Sequence, residues 1–146
     1  MSHISLNVHI VFATKDRAQV LTTEMQPRLF SYIGGVFKSE GCSLVAAGGI
    51  ADHVHLLVSL GVKKPIADVM REVKAGSSRW IHETFGEMGN FGWQEGYGLF
   101  SVSYSNMDRV KEYIGRQEAH HKKVSFRDEL IALLKKHNVA YDERYV

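Results

Sequence analysis

The stretch Asp52-His53-Val54-His55-Leu56-Leu57-Val58-Ser59-Leu60 decides the fold. Val54, Leu56, Val58 and Leu60 fall on one period-two register, and His53, His55, Leu57 and Ser59 on the other. Side chains in a strand point alternately to opposite faces. One face of this strand is therefore apolar and faces a core, while the other carries both imidazoles. The two histidine backbones then lie roughly 6–7 Å apart. From that separation two ring nitrogens can converge on one divalent metal. The same pattern also suits a strand with one polar face in water, where histidine is well tolerated.

Working outward, Leu6, Val8, Ile10 and Phe12 alternate with other residues, so residues 5–13 read as a strand. Thr14-Lys15-Asp16-Arg17 is a polar loop. A helix starts near Thr23, where Thr23 and Gln26 have capping-box spacing. Its apolar positions Leu29, Phe30, Ile33, Val36 and Phe37 recur at helical period, and Gly41 ends it. Ser43 to Ala47 and Asp52 to Leu60 are strands of a hairpin turning at Gly48-Gly49. Pro65 opens a second helix. Ile66, Val69, Met70, Val73, Trp80 and Ile81 line its buried side, and Gly86 and Gly89 end it. Tyr97 to Ser103 reads as a fourth strand, and helices follow near 106–121 and 126–137. Strand, helix, strand, strand, helix, strand is the ferredoxin-like, RRM-like βαββαβ order. The expectation is an α+β fold: an antiparallel sheet with two helices on one face, additional C-terminal helices, and the other face free for a ligand or a second subunit.

A chain of 146 residues, 45% hydrophobic, suits a single domain over 1–146 with a real core. The formal net charge is +2, so any polyanion must be met by a local patch. Cys42 is the one cysteine, which excludes an intramolecular disulfide and fits a reducing compartment. No signal peptide is legible at the N-terminus, and no apolar run approaches the ~18 residues that span a bilayer. A soluble cytoplasmic protein is the expectation.

The segment Val110-Lys111-Glu112-Tyr113-Ile114-Gly115-Arg116-Gln117-Glu118-Ala119-His120-His121 reads as a helix, with Ser105 and Asp108 at capping-box spacing ahead of it. Tyr113 and Gln117 are four apart and share a face. A hydroxyl and an amide oxygen can address one site from there, although tyrosine at helical spacing is commonly a core aromatic and glutamine is commonly solvated.

Taken together, these segments resemble the single-tyrosine HUH transposases of small bacterial and archaeal insertion sequences (transposase A) and their repeat-associated relatives. The resemblance rests on His9-Ile10-Val11-Phe12-Ala13-Thr14-Lys15-Asp16-Arg17 and on the His-hydrophobic-His motif in Asp52-His53-Val54-His55-Leu56-Leu57. It extends through Trp93-Gln94-Glu95-Gly96-Tyr97-Gly98-Leu99-Phe100-Ser101-Val102-Ser103, Tyr113-Ile114-Gly115-Arg116-Gln117-Glu118-Ala119-His120-His121 and Asp142-Glu143-Arg144-Tyr145-Val146.

The resemblance implies that His53, His55 and Gln117 hold a divalent metal, Mg²⁺ or Mn²⁺, and that Tyr113 is the nucleophile. It implies cutting and rejoining of single-stranded DNA through a 5′-phosphotyrosine, recognition of hairpins at element ends, and a homodimer whose active sites can be composite. Such chemistry is coherent. A metal offsets phosphate charge and polarises phosphorus, and a nearby cation favours the phenolate of a tyrosine whose free pKa is near 10. A covalent phosphotyrosine conserves the energy of the broken link, so no ATP loop is needed. Lys15, Arg17, Lys74, Arg79, Lys122 and Lys123 are expected phosphate contacts. Three other readings stay open: a nucleic-acid-binding module stacking bases on a free sheet face, a metal-dependent nuclease using water, and a purely structural dimerisation protein.

Overall fold

The computed structural model describes residues 1–121 and 123–146, with Glu118 and His121 described by their backbone alone. The elements run β1 (Asn7–Ala13), α1 (Met25–Ser39), β2 (Ser43–Ile50), β3 (His53–Ser59), α2 (Ile66–Thr84), β4 (Gly98–Val102), α3 (Met107–Gly115), α4 (Gln117–His121) and α5 (Phe126–Lys136). The strands form one antiparallel sheet in the order β2-β3-β1-β4. This is the expected α+β architecture with βαββαβ order and added C-terminal helices.

The alternation of β3 sorts residues between two cores. Val54, Leu56 and Val58, with Ile10 and Phe12 of β1, pack against Leu29, Ile33 and Phe37 of α1 and Val69, Met70, Val73 and Ile81 of α2. The α1 residues are four apart, so one stripe meets the sheet. Each fully buried side chain of this kind contributes ~1.5–3 kcal/mol. The chain leaves α1 through Gly41 at φ +80°, a left-handed conformation that glycine adopts without steric cost. Pro65 caps the start of α2.

The opposite sheet face differs from expectation. It is covered rather than free: Val11, Ala13 and Phe100 form a second core with Phe126 of α5, and Leu130, Leu133 and Leu134 pack against it. Every residue of β1 is therefore buried. Leucines and phenylalanine at helical spacing cannot be left in water when an apolar strand face is within reach.

Two further boundaries shift. Strand β2 runs through Gly48 and Gly49 and turns at Ala51-Asp52 instead. Gly48 serves packing: a Cβ there would lie 2.5 Å from the carbonyl oxygen of Ile114 in α3. The single helix expected near 106–121 is two, because Arg116 leaves helical geometry at φ −104°, ψ 17°. Among the described residues, no helix is long and apolar enough to cross a membrane.

Candidate active site

Strands β1 and β3 and helices α3, α4 and α5 meet at the His53–His55 face. Antiparallel pairing puts Ala13 opposite His53 and Val11 opposite His55, and it sets His9 one step diagonally along β1. The His9 Nε2 lies 2.7 Å from Nδ1 of His55. His53 and His55 are both wholly buried, not surface groups, because α3 to α5 roof this face. Tyr113 comes down from α3, with its ring 5.8 Å from that of His55 and 6.0 Å from that of His9. The tyrosine thus docks on the histidines of its own chain.

Glu129 of α5 is the hub. Its Oε1 lies 2.8 Å from Nε2 of His55 and 3.5 Å from Nε2 of His53. Its Oε2 accepts a short hydrogen bond from the Tyr113 hydroxyl and lies 3.2 Å from Nε2 of His120. Behind the site, Asp52 Oδ1 sits 2.7 Å from Nδ1 of His53 and orients the ring so that Nε2 faces inward. Phe126 packs on the other side of His53, ring centroids 4.4 Å apart. Gln117 is buried beside Tyr113, and its Nε2 donates to the Tyr113 carbonyl oxygen at 3.3 Å across the helix break.

Burial and partners set the charges. Burial, reinforced by His55, holds the His9 imidazole neutral with a pKa down at about 3. Burial opposes a charge on His53, yet hydrogen bonds to Asp52 and Glu129 outweigh it and raise its pKa above the ordinary histidine value. Burial would raise the Glu129 carboxyl, but bonds from His53, His55 and Tyr113 hold it well below the usual carboxylate range. Burial and the Glu129 carboxylate raise the Tyr113 phenol, so the hydroxyl keeps its proton.

One imidazole nitrogen from each of His53 and His55 and a carboxylate oxygen of Glu129 lie within 4.8 Å of one another. Two nitrogens and one oxygen converging in a buried niche suit a divalent cation.

The expected phosphate contacts scatter. Lys15 is exposed at a tight turn, and Arg17 lies with its guanidinium 4.6 Å over the Phe126 ring. Lys74 donates to the carbonyls of Gln94 and Gly96 at 2.6 and 2.7 Å, so it ties down the loop before β4. Arg79 is exposed on α2, across the sheet from Tyr113. Lys123 does border a cleft beside Tyr113, along with Arg109 and Arg116, which the sequence reading passed over. Lys122 lies outside the described residues.

A sequence model of the transposase IS200-like family matches residues 2–117. The chain belongs to the IS200-like transposase family. It is accordingly an enzyme of the tyrosine transposase type. Among relatives, the ISDra2 transposase TnpA of Deinococcus radiodurans is 27% identical over 118 residues, 77% of this chain and 84% of the relative. The IS200 transposase of Salmonella typhimurium is 28% identical over 114 residues, 75% of this chain and 74% of the relative. A crystal structure described as that of a transposase from Deinococcus radiodurans R1 superposes with a TM-score of 0.66 at 28% identity, covering 80% of this chain and 93% of the other. A tyrosine transposase bound to a REP hairpin shares the fold with a TM-score of 0.61 at 20% identity, covering 85% and 73%. Glu129 and all of α5 lie beyond the residues that the family model matches.

Proposed function

We propose that this IS200-like transposase, acting as one domain over 1–146, cuts and rejoins single-stranded DNA through a covalent 5′-phosphotyrosine on Tyr113. One observation carries the reading: the Tyr113 hydroxyl and both inward imidazole nitrogens of the His53–His55 pair converge on a single buried carboxylate. A nucleophile, two metal-binding nitrogens and a proton acceptor within one niche are the parts that phosphodiester transfer by tyrosine needs.

Tyr113 Oη attacks phosphorus, and its proton leaves along the existing hydrogen bond to Glu129 Oε2. The bond from phosphorus to the 3′ oxygen breaks, that oxygen takes up a proton, and a free 3′-hydroxyl results. Resealing runs the same path backwards, with a 3′-hydroxyl attacking the phosphotyrosine and Tyr113 recovering its proton from Glu129. His53, His55 and Gln117 hold a divalent metal, Mg²⁺ or Mn²⁺, which when bound offsets phosphate charge and favours the phenolate. Asp52 keeps His53 in the ligating tautomer, and His9 does the same for His55. Arg109, Arg116 and Lys123 border the cleft beside Tyr113 and would meet the strand's phosphates, with Arg17, over the Phe126 ring that packs on His53, and the exposed Lys15 as further contacts.

Hairpin DNA with single-stranded flanks is the proposed substrate, by analogy with the solved relative bound to a REP hairpin. A cytoplasmic homodimer is proposed as the working form, since strands β2 and β4 leave two open sheet edges. The reading as a base-stacking module is disfavoured, because α5 covers the sheet face that such modules use.

The test is cleavage of end-labelled hairpin DNA in Mg²⁺ or Mn²⁺, with and without chelator. Cleavage that needs metal and vanishes in the His53→Ala, His55→Ala double variant is expected. Full cleavage by that variant in chelator would sink the proposal.

A further inference from the structure

We propose that Glu129 is itself a ligand of the divalent cation, so that α5, beyond the family-matched residues, adds a carboxylate to the donors of His53, His55 and Gln117. The proposal rests on the reading above that a cation sits at His53 and His55, and it adds a residue to that site.

Distances come first. Around a cation with bonds of about 2.1 Å, neighbouring octahedral ligands lie about 3.0 Å apart. Glu129 Oε1 already stands 2.8 Å from Nε2 of His55 and 3.5 Å from Nε2 of His53. Glu129 Oε1 is thus spaced from each imidazole nitrogen like an adjacent vertex of one coordination sphere, and the two nitrogens lie within 4.8 Å of each other.

Energetics point the same way. Glu129 sits on the apolar side of α5, flanked by Phe126, Leu130 and Leu133, and is 3% exposed. A carboxylate on such a face is costly unless charge and hydrogen bonds compensate it. Hydrogen bonds from imidazoles and a phenol satisfy its oxygens, and a cation between Oε1 and the two imidazoles would compensate its charge directly.

Rigidity supports it as well. The helix is pinned at Phe126 between the His53 ring and the Arg17 guanidinium, and its leucines lock onto β1 and β4. The side chain is therefore held in place before any ion arrives. The two oxygens divide the work, with Oε1 facing the imidazoles and Oε2 facing the Tyr113 hydroxyl. One residue thereby couples metal occupancy to the position of the nucleophile.

The test measures Mn²⁺ binding to DNA-free protein, with free ion read by electron paramagnetic resonance, for wild type, Glu129→Gln, Gln117→Ala and His53→Ala. Circular dichroism checks each fold. Weakening of Mn²⁺ binding by about tenfold or more in Glu129→Gln is expected, together with loss in His53→Ala. Unchanged or tighter binding in Glu129→Gln, with loss in His53→Ala, would show Glu129 to be only a structural clasp and overturn the proposal alone. Unchanged binding in His53→Ala overturns the underlying metal reading with it. Should Glu129→Gln not fold, Mg²⁺-induced infrared difference spectra of the wild-type protein, with His53→Ala as the blank, decide the matter. A shifted carboxylate stretch supports ligation, and no shift overturns it.

Discussion

Gly48→Ala should disable the enzyme without touching any catalytic group. The added Cβ would stand 2.5 Å from the Ile114 carbonyl oxygen and 2.9 Å from Ile114 Cγ2, where ordinary contact begins at 3.4 Å. Neither the β2 backbone, paired with β3 opposite His55, nor the α3 backbone can yield by rotating a side chain. So α3 must retreat from the sheet by roughly 1 Å, and Tyr113, one residue before Ile114, retreats with it. Misplacement on that scale costs about 10²-fold in rate. Overpacking adds about 1–3 kcal/mol of destabilisation, or roughly 2–10 °C in Tm for a chain of this size. Time courses of nicking on end-labelled single-stranded hairpin DNA, alongside thermal melts, measure both effects. Gly115→Ala is the control: a Cβ there meets nothing within 4 Å, so rate and Tm should hold. A Gly48→Ala protein cutting at the wild-type rate would show that α3 does not set the position of the nucleophile.

Tyr113→Phe should abolish strand cleavage while retaining hairpin binding by gel shift, and nicking at the wild-type rate would make water the nucleophile. Its lost hydrogen bond to a buried carboxylate should also lower stability by about 1.5–3 kcal/mol, readable by urea denaturation. Acidification should destabilise the metal-free protein through His9. Its folded pKa of about 3 lies below the ordinary 6.5, so protons favour the unfolded chain and stability falls as pH drops below 6.5. Between pH 6 and pH 5 the loss is about 1 kcal/mol. His53, raised in the fold, has its full contribution already below pH 6.5, and Glu129 loses its own only below about pH 4.5. His9→Gln should flatten that slope, and an unchanged slope would mean His9 is not held neutral. Mixing inactive His53→Ala with inactive Tyr113→Phe should restore nothing, since nucleophile and histidines meet within one chain, whereas recovered nicking would mean that the tyrosine helix exchanges between copies.

Much of this was legible in the residues. The alternation of His53 to Leu60 marked a strand with two histidines on one face, and the stripes of α1 and α2 placed two helices on the other. What pattern does not disclose is where a later helix docks. Residues 126–137 read as helical, yet nothing local says that Phe126, Glu129, Leu130 and Leu133 face the sheet rather than a partner. Locally, Glu129 is one member of a charged run, Arg127-Asp128-Glu129. Its shared face with Phe126 and Leu133, at spacings of three and four, was the available signal. His9 stood in plain view in β1, but its contact with His55 depends on strand order and register, which sequence constrains weakly. Phosphate contacts are the hardest part to read from a sequence. A lysine's partners are set by tertiary geometry, and Lys74 is spent on two loop carbonyls.

The most direct measurement is a search for the covalent adduct itself. Wild-type protein is incubated with single-stranded hairpin DNA and Mn²⁺, quenched in denaturant, digested and analysed by mass spectrometry. A nucleotide joined through its 5′ phosphate to the peptide containing Tyr113 is the expected result, absent with chelator and absent in Tyr113→Phe. Cleaved DNA with no adduct, or an adduct on another residue, would contradict the assignment of Tyr113 as the nucleophile.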